Sequence, residues 1–228
     1  MQDIIIIGAG GQAKNTSLVI EQCINKQTNK PKFNILGIVD DDTSKTNQIL
    51  RNYKVLGTID QILKSHNNVG FVFAIGSSKA VEFIVKKIKT YQSNNQNKKF
   101  SFPNIIHPTA QITEKEVTMG KGNIIFPNCI FFSEITMGNF NFFNRSCSIS
   151  HETTIGDYNF IHAGIHLSGQ ITIKNKVWIG VGSTVIQCLT LNNNCTIGAG
   201  AVVIKDVEEN AIMVGNPAKL LRYKTNNK

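Results

Sequence analysis

The stretch ITIKNKVWIGVGSTVIQCLTLNNNCTIGAG, residues 171–200, repeats with a period of six residues. The third residue of each hexad is apolar: Ile173, Ile179, Val185, Leu191 and Ile197. The same register runs without a gap through residues 117–206, and all fifteen of its hexads have an apolar third residue. Since only 41% of the chain is hydrophobic, chance is a poor explanation. A short fixed period of this kind predicts a solenoid.

Hexads fit a parallel β-helix with three flat faces, in which three hexads make one coil of 18 residues. Third-position side chains one coil apart then stack inside the coil, as in the predicted column Met119, Met137, Ile155, Ile173 and Leu191. Glycine often holds the fourth position: Gly120, Gly138, Gly156, Gly180 and Gly198. We therefore predict at the fourth position a sharp corner that needs a residue tolerant of positive φ.

The N-terminal part has a different pattern. Continuous apolar runs occur at 3–9 (DIIIIGA), 33–42 (FNILGIVDDD) and 69–77 (VGFVFAIGS), and helix-compatible segments follow at 12–23, 59–65 and 79–92. This β-α-β-α-β order with uninterrupted apolar strands predicts a parallel sheet with helices on its faces. With a polar linker around 93–105, the predicted domains are a small α/β domain, residues 1–100, and a β-helix domain, residues 106–228.

Composition excludes several classes of protein. The sequence has no apolar run of membrane-spanning length and no secretory signal, and its five cysteines lack CxxC spacing, so we expect a cytoplasmic protein with free thiols. The net charge is +9, and residues 1–100 carry 14 Lys and Arg against 7 Asp and Glu. Because no aromatic-basic interleaving accompanies this charge, we expect no nucleic-acid partner, and the basic half suits a small phosphorylated ligand.

The segment GAGGQAK, residues 8–14, follows the first predicted strand and opens a helix. Backbone N–H groups at such a helix start can bind a phosphate. The segment is not a full GxGxxG, because Ala13 holds the sixth position, and the domain is too short for two mononucleotide-binding halves. Asp40 and Asp41 end the second strand, where they could bind a ribose or sugar hydroxyl. A purely structural turn is the alternative.

Three of the five histidines, His151, His162 and His166, lie within residues 148–169. His151 is the fifth residue of its hexad, so it points away from the internal column, and Glu152 follows it. A surface residue is one interpretation; a general base, made more basic by the carboxylate, is the other. Metal ligands from stacked coils would be spaced by multiples of 18, whereas these spacings are 11 and 4, so we expect no metal site.

The hexads and the closing VGNPAKLLR (214–222) resemble the left-handed parallel β-helix of hexapeptide-repeat acyltransferases. Together with IIIIGAGGQAK (4–14), GIVDDD (37–42), AIGSS (74–78), IHPTA (106–110) and SHETTIGD (150–157), they resemble one family. It comprises sugar acetyltransferases with a Rossmann-like N-terminal domain, among them nucleotide-amino-sugar N-acetyltransferases and sialic acid O-acetyltransferases.

The resemblance implies a role for three groups of residues. The nucleotide sugar would contact Gly10, Gly11, Gln12, Asp40, Asp41 and Gly76, with Gln12 standing where many relatives have histidine. The proton acceptor would be His151, supported by Glu152. The acetyl donor, acetyl-CoA, would lie along Phe160, Gly169, Val181 and Ala199, mostly against their backbones. The family's second histidine falls on Phe160; His162, two residues on, either replaces it as a donor contact or is a structural corner residue. Because the donor groove forms between subunits, the resemblance also implies a homotrimer.

The leading interpretation is therefore acetyl-CoA-dependent N-acetylation of a UDP-, dTDP- or GDP-linked amino sugar in surface glycan biosynthesis. O-acetylation of sialic acid or a related sugar is the close alternative. A nicotinamide oxidoreductase would use the glycine loop but not fifteen hexads, and a purely structural β-helix would not need SHETTIGD.

Overall fold

The computed structural model describes residues 1–25, 28–113 and 115–225. It forms two compact units, Met1–Pro108 and Thr109–Lys228, and each is described by itself. The domain limits proposed from the sequence, 1–100 and 106–228, stay a prediction. None of the helices in the described ranges combines the length and the apolar composition needed to cross a membrane.

The first unit contains a four-stranded parallel sheet in the order β2-β1-β5-β6. Its helices are α1 (Gly11–Glu21), α2 (Ile59–Ser65) and α3 (Ser78–Ser93), with a short 3-10 helix at Thr43–Lys45. Its strands are β1 (Gln2–Ile7), β2 (Phe33–Val39), β3 (Ile49–Leu50), β4 (Tyr53–Lys54), β5 (Asn68–Phe73), β6 (Lys99–Ser101) and β7 (Ile105–Ile106).

Local sequence explains these elements. The isoleucines of β1, Ile4–Ile7, are buried, as expected for a parallel strand covered on both faces. Helix α2 begins with a complete capping box between Thr58 and Gln61, and Ser77 caps α3. Helix α1 begins after Gly10, which provides no side-chain cap, in contrast to the starts of the other two helices of the described part of this unit. The predicted β-α-β-α-β order is confirmed; the β3-β4 hairpin and β6 were not predicted.

The second unit is a parallel β-helix of about six turns with three sheets. Within this unit, the strands of the first sheet are Ile124–Ile125, Phe142–Phe143, Phe160–Ile161, Trp178–Ile179, Thr196–Ile197 and Ala211–Val214, which Lys219–Tyr223 joins antiparallel. The second sheet consists of Gln111–Ile112, Ile130–Phe131, Ser148–Ile149, His166–Leu167, Thr184–Val185 and Val202–Val203. The third consists of Val117–Met119, Ile135–Met137, Thr154–Ile155, Thr172–Ile173 and Thr190–Leu191.

The coil of 18 residues is confirmed by the strand register. Met119 pairs with Met137, Met137 with Ile155, Ile155 with Ile173, and Ile173 with Leu191, which is the predicted column. Four of these five residues are buried, with 0–3% of their surface exposed, and Met119 is partly exposed at the open end. The predicted fold class, a parallel α/β domain followed by a parallel β-helix, is therefore confirmed.

The predicted cause of the fourth-position glycines is wrong. Positive φ recurs at the sixth position of fourteen of the fifteen hexads, with values from 55° at Glu152 to 72° at Gly122, and not at the fourth. The fourth position lacks room for a side chain instead: a Cβ on Gly138 would lie 2.8 Å from the Gly156 carbonyl oxygen of the next coil. Glycine is therefore required there by the close approach of two backbones.

Buried asparagines stabilise one inner corner of the solenoid. Asn123, Asn141 and Asn159 occupy first positions one coil apart, and each has at most 1% of its surface exposed. The Asn123 Oδ1 accepts from the Asn141 amide at 2.9 Å, and the Asn141 Oδ1 accepts from the Asn159 amide at 2.9 Å. The ladder ends where the Asn159 Oδ1 accepts from the Val177 amide at 2.7 Å. These side chains satisfy amides that turn away from the strand hydrogen bonds.

Candidate functional site

The glycine loop of the first unit leaves an open surface at the start of α1. Gly8 has φ +101°, and a Cβ there would lie 2.9 Å from the Ala74 carbonyl oxygen, so the turn requires glycine. At Gly10 and Gly11 a Cβ would meet no atom within 4 Å. A ligand can therefore approach the first amides of the helix, where the helix dipole favours an anion.

Asp40 fixes this loop. Its Oδ2 accepts from the Ala9 amide at 2.7 Å and from Lys45 Nζ at 3.1 Å, and its Oδ1 accepts from the Asp42 amide at 3.0 Å. Partial burial of the carboxyl opposes ionisation, but these hydrogen bonds and the lysine charge outweigh it and lower the pKa of Asp40. Asp41 is anchored separately, because its Oδ1 accepts from the Ile59 amide at 3.0 Å, at the first residue of α2.

Beside the loop lies a cleft of ≈ 250 Å³. Its walls are mainly apolar and include two carboxylates; the lining residues are Ile7, Gly8, Val39, Asp40, Asp41, Ile59, Ile75 and Ile84. Gln12 Nε2 is buried and has no hydrogen-bond partner among the described residues, and a Cβ on Gly76 would lie 3.7 Å from Gln12 Oε1. The structure thus brings the predicted Gln12 and Gly76 together, and places Asp40 and Asp41 on one cleft.

The sequence analysis did not identify Ile75, Ile84 and Lys45 as site residues, since nothing in their sequence context marks them.

In the second unit, His151 and Glu152 occupy a corner of the β-helix between the second and third sheets. His151 Nδ1 and Glu152 Oε2 are 2.9 Å apart, and their side chains are 56% and 45% exposed. Because an ionised carboxylate only accepts hydrogen bonds, this contact places a proton on Nδ1 and leaves the neutral ring with a lone pair on Nε2.

Gly169 lies one coil above His151 and makes room for its ring. A Cβ on Gly169 would be 2.5 Å from His151 Cε1 and 2.6 Å from Nε2. Gln170, the next residue, donates from Nε2 to Glu152 Oε2 at 3.1 Å. Sequence reasoning missed Gln170, although its spacing of 18 residues from Glu152 is the coil length and would have found it.

His162 lies at a different corner, between the first and second sheets. Its ring centroid is 4.5 Å from that of Trp178, and its Nε2 is buried without a hydrogen-bond partner among the described residues. Burial lowers the pKa of His162, because removal from water disfavours the charged ring. His166 is exposed on its strand, with Nδ1 3.2 Å from Ser148 Oγ.

Of the other residues predicted to contact the donor, Gly169 lies beside His151, and the remaining three lie near His162. Phe160 is buried and stacks on Phe142, with centroids 5.6 Å apart. Val181 and Ala199 are exposed fifth-position residues one coil apart, and Val181 is 53% exposed. The chain therefore places Phe160, His162, Val181 and Ala199 at one corner, and His151, Glu152 and Gly169 at the next. Within the described residues, no three His, Cys, Asp or Glu side chains are grouped so that they could hold a metal ion.

Comparison with known proteins supports both halves of this architecture. Residues 3–88 match the family model of the PglD N-terminal domain. No curated protein sequence gives a match. The family resemblance inferred from the sequence, a sugar acetyltransferase with this N-terminal domain and a hexapeptide-repeat region, is thus supported by the domain and by the fold.

Three solved structures share the fold over almost the whole chain. PerB from Caulobacter crescentus, solved with CoA and GDP-perosamine, is 23% identical, with a TM-score of 0.80 over 96% of this chain and 97% of that one. The acetyltransferase domain of PglB from Neisseria gonorrhoeae FA1090, solved with acetyl coenzyme A, is 24% identical, with a TM-score of 0.81 over 96% and 99%. WeeI from Acinetobacter baumannii AYE is 25% identical, with a TM-score of 0.79 over 96% and 100%.

Proposed function

We propose that this protein transfers the acetyl group of acetyl-CoA to the amine of a nucleotide-linked amino sugar. The observation that carries the proposal is the His151–Glu152 pair, in which a carboxylate holds Nδ1 and leaves Nε2 free at an exposed corner. The similar folds of PerB, solved with CoA and GDP-perosamine, and of the PglB domain, solved with acetyl coenzyme A, support the substrate classes.

In this reaction His151 is the general base. Its Nε2 takes a proton from the sugar amine as the nitrogen attacks the thioester carbonyl carbon. The C–N bond forms, the C–S bond breaks, and the proton held on Nε2 passes to the departing CoA sulfur. Glu152 stabilises the imidazolium that exists between these two proton transfers, because its carboxylate lies 2.9 Å from Nδ1.

The first unit is proposed to bind the nucleotide part of the substrate. The phosphates would meet the open helix start at Gly10 and Gly11, and Gln12 would supply a buried amide donor that now has no partner among the described residues. The apolar cleft beside Asp40 and Asp41 suits a nucleobase and its ribose, with carboxylates to accept from hydroxyl groups. Gly76 lies beside Gln12, where a Cβ would be 3.7 Å from Gln12 Oε1.

The donor and the base are proposed to meet between subunits of a homotrimer. Phe160, His162, Val181 and Ala199 lie at one corner of the β-helix, and His151 lies at the next, on the far side of the second sheet. Packing chains side by side can bring the first corner of one chain to the second corner of its neighbour. Sedimentation tests this: a fully active monomer would contradict it.

All five cysteines are free, which suits a reducing cytoplasm.

Thiol release from acetyl-CoA tests the activity directly. The panel contains UDP-, dTDP- and GDP-linked amino sugars together with free sialic acid, and mass spectrometry of the product separates N-acetylation from O-acetylation. We expect turnover with one nucleotide amino sugar, and His151→Ala should lower kcat by about 10²–10⁴-fold. His166→Ala is the matched control, since this exposed histidine lies on a strand outside the corner. Wild-type turnover in His151→Ala would overturn the assignment.

A further inference from the structure

Three polar side chains form a column beside the proposed base. Glu152, Gln170 and Cys188 hold the sixth position of hexads one coil apart, and all three have left-handed backbones, with φ of 55°, 59° and 61°. This conformation disfavours β-branched or bulky residues. None of these three positions is a glycine, so each of them carries a polar side chain. Because the backbones repeat in register, the side chains leave the corner in the same direction and reach one another.

The hydrogen bonds in this column have a single direction. Cys188 Sγ is 3.1 Å from Gln170 Oε1, which can only accept, so the thiol donates. The Gln170 amide is thereby oriented with Nε2 toward Glu152 Oε2, to which it donates at 3.1 Å. The same oxygen accepts from His151 Nδ1 at 2.9 Å. Glu152 is thus held by two donors, Gln170 and His151, and Gln170 is itself oriented by Cys188.

We propose that Gln170, oriented by Cys188, is a positioning residue that holds Glu152 against His151 and thereby keeps the proton of the neutral ring on Nδ1. The exposure of the pair makes a second anchor necessary, because water competes for a carboxylate that is 45% exposed. If Glu152 turns away, the ring also populates the tautomer with its proton on Nε2, which cannot act as the base. The expected effect on turnover rests on the proposed function, whereas the expected position of the His151 ring proton does not.

The test combines NMR of the histidine ring nitrogens with kinetics on the full chain. In ¹⁵N spectra recorded at about pH 8, the neutral His151 ring of wild type should carry its proton on Nδ1. Gln170→Met keeps the length but removes the donor, so it should give mixed tautomers. It should also lower kcat by about 2–10-fold through the lost active fraction, with unchanged KM for both substrates. Cys188→Ala should shift the tautomer in the same direction by less.

Gln187→Met is the matched control, because Gln187 is an exposed glutamine beside Cys188 that makes no hydrogen bond to the column, and we expect the wild-type spectrum. An unchanged His151 tautomer in Gln170→Met would overturn the proposal, even if stability or kcat fell. A wild-type spectrum in Cys188→Ala would overturn the role of Cys188. A tautomer shift in a protein that acetylates no sugar would support the positioning role and refute the proposed function, so the two failures are distinct.

Discussion

Gly169→Ala should disable the proposed base without unfolding the β-helix. The new Cβ would lie 2.5 Å from His151 Cε1 and 2.6 Å from Nε2, well inside any tolerated contact. Gly169 is not among the residues with positive φ, so its backbone accepts alanine. The strain therefore falls on the His151 ring, which is 56% exposed and can turn into solvent.

The magnitude follows from that displacement. Relieving a contact of 2.5 Å requires the ring to move by about 1 Å, and a misplacement of this size costs on the order of 10²-fold in rate. Because the ring moves into water and no core contact is lost, the free energy of unfolding should change by no more than about 0.5 kcal/mol. We therefore expect a kcat about 10²-fold below wild type at an unchanged melting temperature.

Thiol release and thermal unfolding measure both quantities, and a double-mutant cycle tests the cause. In a His151→Ala background there is no ring to displace, so adding Gly169→Ala should have almost no further effect. If the two losses instead multiply, the steric reasoning is refuted, and Gly169 acts through its main chain on the donor.

Three further predictions concern other parts of the molecule. Gly11→Val should weaken nucleoside diphosphate binding by about tenfold or more, measured by calorimetry, with the fold intact since its Cβ meets no atom within 4 Å; equal affinity would make the loop only a turn. Asn141→Ala should lower the free energy of unfolding by about 2–5 kcal/mol in urea, because it leaves the buried Asn159 amide and Gly156 oxygen without their partners; a loss below about 0.5 kcal/mol would contradict the ladder. Burial lowers the pKa of His162, so below about pH 6.5 the unfolded chain binds more protons than the folded chain, and the protein loses stability as the pH decreases. His162→Phe should therefore lose less stability than wild type in thermal melts between about pH 7 and pH 5. An equal loss in both proteins would contradict this prediction.

The sequence predicted the β-helix well because its strongest signal is also its main physical constraint. Third-position side chains fill the interior, so Met137, Ile155 and Ile173 must be apolar, and their spacing reveals the coil length. Glycine is a weaker signal, because it is required either for positive φ or for lack of space. Gly138 is required because there is no space for a side chain. Glu152 has a positive φ, but because it is not a glycine the sequence gives no sign of it.

How much of the candidate site could be predicted depends on how far apart its residues lie in the sequence. His151 and Glu152 are adjacent in sequence, so their pairing was predictable, whereas Gln170 and Cys188 reach them only through the coil. In a solenoid with a constant coil, contacts between corners follow multiples of 18 residues, so this kind of partner can be found from sequence once the period is known. The α/β unit has no such rule: Ile75 and Ile84 line the cleft with Asp40 because β2 and β5 flank β1 and end at the same edge of the sheet, and α3 follows β5. Partners there depend on strand order, which apolar runs alone do not determine.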